Sequence, residues 1–530
     1  MWSPSALRGG RTVGTVSILT LAVAVFGYVR EAALAARFGV SATMDAYFGA
    51  IFIPNILYLI LIAGTLSTVF IPILLHDDAP DEPAKISQTF STVANFVLLL
   101  FVVVVCCGVV TAHAWLPLLF SGFATPTAQM ALRLMYIIFP AVLFLALAGI
   151  FTAVLNGFHK FALAAFAPIL SSVSVIAAAL LAPGDKAIYW VAAATAAGFL
   201  LQALLLIPPI ASLGIRYQLT LDLRHPAIIK LVRVGTPLFL YLVVANASAF
   251  LERNLASQIS AGAVSTVTYA TRLFAVPANF LAAPLAIVAY PRFAREALRP
   301  MQGELCSHIS QMFRLVFFIF LPVTIWTMLN ALPLTRLLYE HGQFRPENSI
   351  VTARVLTLYS IGILPNALAV IMLRCFYAIQ DTLTPLCVEL IDLAFYAVVA
   401  TLLSKRLGVP GLAMTRAGAF LLVASLLLFV LRTQKRLLSV DFDLMRFITR
   451  TAFASLVMGA VSWLSLHVVQ SAFDSGGTLM RMVVVGVVLL LSGATFLGVA
   501  RLLKLREAMH ILEILLHLVP ANYSAYGDRE

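Results

Sequence analysis

Apolar positions in this chain do not alternate and do not keep to one face. They run on for twenty residues or more and stop at short polar breaks. Each run is long enough to cross about 30 Å of hydrocarbon as a helix, and the pattern predicts about fourteen spans. They cover residues 13–37, 45–75, 87–112, 131–156, 161–182 and 187–212, then 230–256, 264–290, 308–331, 350–377, 386–404 and 409–432, and finally 446–471 and 480–502. The breaks between them read as loops, among them the acidic HDDAPDEPAK (76–85), IRYQLTLDLRHP (215–226), YEHGQFRPEN (339–348) and QDTLTP (380–385). Two stretches fit neither class. PRFAREALRPMQGEL (291–305) and the tail RLLKLREAMHILEILLHL (501–518) place charge beside Leu and Ile, and both are expected to lie along the membrane surface.

Composition narrows the class. The chain is 62% hydrophobic and 11% charged, whereas a soluble domain carries about 25% charged residues. The expected fold class is therefore an all-α polytopic membrane protein. The net charge of +12 does not point to nucleic acid, because Lys and Arg gather in short loops. With the N-terminus inside, inner loops and tail hold roughly eighteen of them and outer loops about seven, which places both termini in the cytoplasm. The basic N-terminus leads into its apolar run without a small-residue cleavage site, so it reads as a first span that stays attached. Five cysteines, two of them adjacent at Cys106 and Cys107, show no CxxC spacing and read as buried thiols.

The chain also repeats. Arg30, Gly39 and Pro54 recur at one constant displacement as Arg253, Gly262 and Pro277, and Pro140 and Phe151 recur as Pro365 and Phe376 at a displacement two positions longer. Each repeat holds an even number of spans, so both run the same way through the bilayer, with their axis along its normal. Two pseudo-symmetric six-helix lobes plus two C-terminal helices follow. Their expected limits are 1–212, 213–434 and 435–530, the last including the amphipathic tail.

Charge at membrane depth is the main clue to chemistry. It comprises Arg30, Glu31, Asp45, Arg133, Glu252, Arg253, Arg272, Arg314, Arg374, Glu389, Asp392 and Arg416. Any one could snorkel to a span end or form a structural ion pair. Arg30, Glu31 and Asp45 share one hairpin, however, and Arg253 repeats Arg30. Arginine is always charged and offers a planar fork that suits phosphate oxygens. The set reads as a polar interior for a phosphate or carboxylate headgroup, with Arg30, Arg272 and Arg253 binding and Glu31, Asp45 and Glu252 in support. Gly27, Pro54, Pro237, Pro277 and Pro284 are candidate bends. No Walker A, HExxH or GxSxG pattern with plausible partners occurs, so neither an enzyme nor a metal site is expected. No cofactor is expected either, and an ion gradient or the membrane potential would drive transport.

FGYVREAALAARFGVSATMDAYF with the following IPN, then AGTLSTVFIP, GAVSTVTYATRL, YEHGQF and FYAIQDTLTP together resemble the MurJ/MviN family. They occur in the family's order across most of the chain. The resemblance implies a fourteen-span flippase that moves lipid II, an undecaprenyl-pyrophosphate-linked precursor of peptidoglycan, to the outer leaflet of the bacterial inner membrane by alternating access. It implies a cationic cavity for the pyrophosphate and a groove for the lipid tail along the last two helices. Its partners would be that glycan lipid, membrane lipids and cell-wall synthesis proteins. Arg30, Asp45 and Arg272 match family positions, Glu31 stands where an aspartate is usual, and Glu252–Arg253 resembles a pair common in the seventh span. Ala24, Tyr58, Leu59 and Ala63 stand where many members carry charge, and Tyr396 and Ala400 where some carry a sodium-linked pair. A flippase for another polyprenyl-linked glycan stays open beside this reading. A drug or cation exporter, which should present an acidic cavity, and a non-transporting scaffold also remain.

Overall fold

The computed structural model describes residues 4–60, 83–158, 160–297, 302–435, 437–438, 442–475 and 477–509. Span two beyond Ile60, the acidic loop through Glu82 and the tail beyond Met509 lie outside the described residues. Backbone in hydrocarbon must satisfy its own polar groups, and for these apolar runs the helix does so. The described elements are all helical. They are α1 (Pro4–Phe38), α2 (Ala42–Ile60), α3 (Pro83–Leu119), α4 (Thr125–Ile138), α5 (Val142–Gly157), α6 (Phe161–Phe166), α7 (Pro168–Leu181), α8 (Ala187–Ala211), α9 (Pro226–Ser257) and α10 (Ala263–Pro277). The chain continues through α11 (Ala283–Ala297), α12 (Gln302–Leu329), α13 (Ala331–Tyr339), α14 (Pro346–Ser360), α15 (Ile363–Ala378), α16 (Leu383–Leu407), α17 (Val409–Thr433), α18 (Phe442–Ser475) and α19 (Thr478–Leu502).

Among the described residues, eleven helical stretches are long and apolar enough to cross a membrane, or twelve if α14 and α15, bent by 44°, form one broken span. The other two expected spans fall on α2, described only to Ile60, and on α9. The latter has 32 residues but is interrupted by Lys230, Arg233, Glu252 and Arg253. The outward faces are those of a protein bathed in lipid: Leu118, Leu181 and Leu490 are 74%, 79% and 73% exposed. Cys106 and Cys107 also face outward rather than being buried as expected; lipid-facing positions on a span are as apolar as core positions, so sequence does not separate them.

Proline shapes both copies of the repeated fourth span. Pro140 lies in a 3-10 turn, Phe139–Ala141, between α4 and α5, and Pro365 is the third residue of α15, just past the 44° bend. Each removes a helix donor at the break. The eighth span runs on where a surface segment is expected. A π-helical turn, Ala278–Ala282, joins α10 to α11, which continues through Pro291 to Ala297, while Gln302–Leu305 already belong to α12.

The chain packs as two compact units. The first takes the chain through Tyr269 with Leu338–Ser349 and Ala397–Leu412; the second takes Ala270–Leu337, Ile350–Tyr396 and the chain from Ala413. In the first, α7 packs on α8 and α1, α5 on α8, and α2 on α4. Ala35, Ala146, Ala148 and Ala192 are fully buried there, and small residues of this kind let helix backbones approach. In the second, α18 packs on α19 and α12, and α15 on α11 and α12. Val484, Val485 and Val488 pack against Trp326, Leu334 and Leu466. The Asn330 amide donates to Ser462 Oγ at 2.9 Å, tying the end of α12 to α18.

Candidate functional site

The turn between α1 and α2 closes through Gly39, whose φ of +61° is open to glycine at little cost. Ser41 then accepts the Met44 N–H at 3.2 Å and starts α2. One turn along, Asp45 is 1% exposed. Its two oxygens do not reach an arginine. Oδ2 accepts the Gly262 N–H at 2.6 Å and Oδ1 the Ser265 N–H at 2.7 Å. These are donors at the start of α10, where a helix leaves its first N–H groups unpaired and favours negative charge. Asp45 thus caps a helix of the second repeat from a helix of the first.

Segment 338–349 closes over the same place. The Gln343 N–H donates to the Ala36 carbonyl at 2.8 Å, and a Cβ on Gly39 would stand 2.5 Å from the Gln343 carbonyl oxygen. The Tyr269 ring meets Phe48 at 5.5 Å, Tyr339 at 4.9 Å and Phe344 at 5.5 Å between centroids, and all four rings are buried. Nearby, Asn254 and Gln258 of α9 and the turn after it donate to the Leu118 carbonyl and Ser121 Oγ at 2.8 and 2.9 Å. A cavity of about 160 Å³ remains beside Asp45, Gly122 and Ser257. Ligand pockets usually span about 300–1,000 Å³, so this one has room for a few waters and not for a disaccharide. The arrangement is a buried, close-packed junction with no room for a large ligand.

Four of the other candidates stand in the same unit. Arg30 is bonded to Glu31, Nη2 to Oε1 at 2.8 Å, and Glu31 is buried. Arg253 lies with Cζ 4.1 Å from the Phe52 ring centroid and also donates to the Ala249 carbonyl at 3.2 Å. Its neighbour Glu252 is 3% exposed. Arg272 is exposed and belongs to the second unit. Arg416, readable as a snorkelling group, is instead 9% exposed, with Cζ 4.0 Å from the Tyr396 centroid and Glu389 within electrostatic range. The second unit also holds an apolar cavity of about 230 Å³ between α12, α18 and α19, lined by Phe318, Pro322, Trp326, Met458 and Phe496.

Sequence reasoning passed over Tyr339, Gly342, Gln343 and Phe344. Their signal was present in YEHGQF, a polar, glycine-bearing loop flanked by aromatics. Three of the stretches that carry the family resemblance, GVSATMDAYF, GAVSTVTYA and YEHGQF, meet at this one junction. FYAIQDTLTP is placed elsewhere: Asp381 accepts the Thr384 N–H and hydroxyl at 3.0 and 2.8 Å and pairs with Lys435 at 2.8 Å, fixing the start of α16, and AGTLSTVFIP lies outside the described residues.

Comparison with known proteins follows the same lines. A family model described as "Lipid II flippase MurJ" matches residues 34–484. A Burkholderia cenocepacia protein named "Lipid II flippase MurJ" is 31% identical over 475 residues, covering 86% of this chain and 90% of that protein. A "Probable lipid II flippase MurJ" of Vibrio cholerae is 26% identical, covering 93% and 97%. Among solved structures, one described as "Lipid II flippase MurJ, inward closed conformation" superposes with a TM-score of 0.78 at 21% identity, over 92% of this chain and 99% of that one. An inward-facing multidrug resistance MATE family transporter superposes with a TM-score of 0.63 at 15% identity, over 79% and 98%. At these identities the structural matches speak to the fold.

Proposed function

The chain belongs to the MurJ family, and from that premise we propose that it is a flippase for lipid II, the polyprenyl-pyrophosphate-linked precursor of peptidoglycan. It carries the headgroup from the inner to the outer leaflet of a bacterial cytoplasmic membrane, with both termini on the cytoplasmic side. Transport of this kind needs a pathway shut at one end while it opens at the other. The observation that carries the reading is the junction made by Asp45, Gly262 and the Tyr269 ring cluster, built from the stretches that bear the family resemblance.

Arg30 and Arg253, repeat-related and at membrane depth, supply guanidinium groups for the pyrophosphate. Glu31 holds Arg30 in place until the anion arrives. The apolar cavity along α18 and α19 suits part of the polyprenyl tail. No nucleotide pattern is present to power the step. The membrane potential is worth about 2.3 kcal/mol per charge per 100 mV, so moving a doubly charged pyrophosphate outward gains about 4–5 kcal/mol.

A flippase for a different polyprenyl-linked glycan is favoured by Ala24, Tyr58 and Leu59, positions where many family members add charge. Reconstituted vesicles decide between them. Lipid II should flip faster than other polyprenyl-pyrophosphate sugars, and an imposed inside-negative potential should speed it. Equal rates without lipid II preference, or no flipping at all, overturn the substrate assignment.

A further inference from the structure

The segment that joins the two repeats, Ile215–Arg224, carries its apolar residues on the wrong side for a loop. Tyr217, Leu219, Leu221 and Leu223 are 56%, 91%, 47% and 58% exposed, and they alternate with polar residues. The segment belongs to no helix, so its backbone groups need other partners. The first turns of α3 provide them. Ser87, Ser91, Thr92 and Asn95 share one face at helical spacing. Ser87 Oγ accepts the Arg216 N–H at 3.1 Å and Ser91 Oγ the Gln218 N–H at 2.9 Å. The Asn95 amide donates to the Gln218 and Thr220 carbonyls at 3.1 and 2.8 Å, and its carbonyl oxygen accepts the Tyr217 hydroxyl at 2.5 Å.

Two constraints fix what the outward row meets. Irregular backbone does not lie exposed in hydrocarbon, so the segment sits at the polar boundary. The apolar stretch Ser87–Leu119 has 33 residues, about 50 Å of helix against about 30 Å of hydrocarbon, so its Ser87 end can stand proud of the core. Charge then names the surface. Lys160, Arg216, Arg224, Lys230 and Arg233 are exposed around the row, with Lys160 Nζ bonded to Ser212 Oγ at 2.9 Å. Against them stands Asp222, which accepts the Arg224 N–H at 2.9 Å. Exposed Ile229 and Val232 extend the apolar row onto α9. A leucine row flanked at both ends by cations, Arg216 and Arg224, marks a segment that lies in an anionic lipid interface.

We propose that residues 216–223 form a strap, bonded by its backbone to α3, that seats on an anionic lipid surface through Tyr217, Leu219, Leu221 and Leu223. The link between the repeats is then held to the bilayer rather than free in water, so headgroup composition acts on the connection between α8 and α9.

The test uses the full chain reconstituted in phosphatidylethanolamine vesicles with and without phosphatidylglycerol. Leu219→Trp, and Leu221→Trp as a second reporter, add fluorescence over the parent chain. Lipids brominated near the headgroup end of the acyl chain should cut that added signal by about twofold or more. The cut should be deeper with phosphatidylglycerol, and Arg216→Glu with Arg224→Glu should remove the difference. Quenching by aqueous acrylamide without effect of bromolipid would place the row in water and overturn the proposal. Protection from both quenchers would mean that protein covers the row, and overturns it as well. Bromolipid quenching indifferent to phosphatidylglycerol overturns the anionic recognition. No substrate enters the measurement, so its failure leaves the flippase reading untouched, and the converse holds.

Discussion

The carboxylate of Asp45 holds the backbone N–H of Gly262 at 2.6 Å across 217 positions of sequence. With the Ser265 N–H at 2.7 Å, both oxygens of a buried anion are spent on the start of one helix. Opening this end means parting the carboxylate from both donors. Asp45→Asn keeps the shape but sets an amide NH2 against one of those N–H groups, which should cost about 1–3 kcal/mol and favour the open form about five- to hundred-fold. Val40, which lies against Gly262, reports it: a Val40→Cys thiol should label faster with an impermeant maleimide in the Asp45→Asn background. An unchanged labelling rate would show that the carboxylate does not govern the closure.

Gly262 itself gives the second prediction. Its φ is +88° and a Cβ would stand 2.6 Å from Val40 Cγ1. Gly262→Ala therefore meets strain and a clash together, about 1–3 kcal/mol for the backbone alone. Thermal unfolding in detergent should fall by several degrees, and Val40→Ala should recover part of the loss by removing the struck methyl. Lack of any recovery would mean that the strain, and not the contact, dominates.

Much of this was legible beforehand and some was not. The spans were readable because runs of apolar residues have few other uses, and the repeat was readable at Gly39 and Gly262, where both turns take positive φ. The work of Asp45 was not. A buried carboxylate beside Arg30 on one hairpin looks like an ion-pair partner, and nothing local says that its donors lie on a helix beginning at Ala263. The strap was hidden for a related reason. IRYQLTLDLRHP reads as a plain polar break until Asn95, more than a hundred residues earlier, is seen to bind its backbone.

The ring cluster predicts a graded response. The Tyr339 hydroxyl reaches the Tyr269 carbonyl at only 3.4 Å, so it contributes little, whereas its ring is 1% exposed against Tyr269 and Phe344. Tyr339→Phe should be nearly neutral, and Tyr339→Ala should destabilise by about 3–5 kcal/mol. Differential scanning of the purified chain measures both. A large loss for the Phe variant would place the stabilisation in the hydroxyl.

Acid should act at Asp381, outside the spans. Burial by itself raises its carboxyl, but hydrogen bonds from Lys435, the Thr384 N–H and the Thr384 hydroxyl outweigh that and hold it below the usual carboxylate range. A group whose folded value is depressed stabilises above its unfolded value, about 3.9, and loses that contribution as pH falls through the folded value. Asp381→Asn should therefore lower stability by about 1 kcal/mol near neutral pH. The gap to the parent chain should close as pH drops below about 4. A gap that persists in acid would assign the effect to shape and not charge.

The last prediction concerns the bond between Arg30 Nη2 and Glu31 Oε1 at 2.8 Å. Adjacent residues do not share a helix face, so the long arginine side chain must turn toward its neighbour to make it. An incoming pyrophosphate has to compete with Glu31 for the guanidinium. Glu31→Gln should then tighten binding of a pyrophosphate probe such as farnesyl pyrophosphate, yet slow turnover, because the anion has lost the competitor that helps release it. Arg30→Ala removes the fork and leaves a buried carboxylate facing the gap, so rescue of a strain depleted of its own lipid II flippase should fail. Arg30→Lys should rescue only weakly, since a lysine carries the charge without the bidentate geometry. Full rescue by Arg30→Ala at normal expression would take Arg30 out of the mechanism. Weaker probe binding in Glu31→Gln would show that Glu31 aids the anion site instead of competing with it.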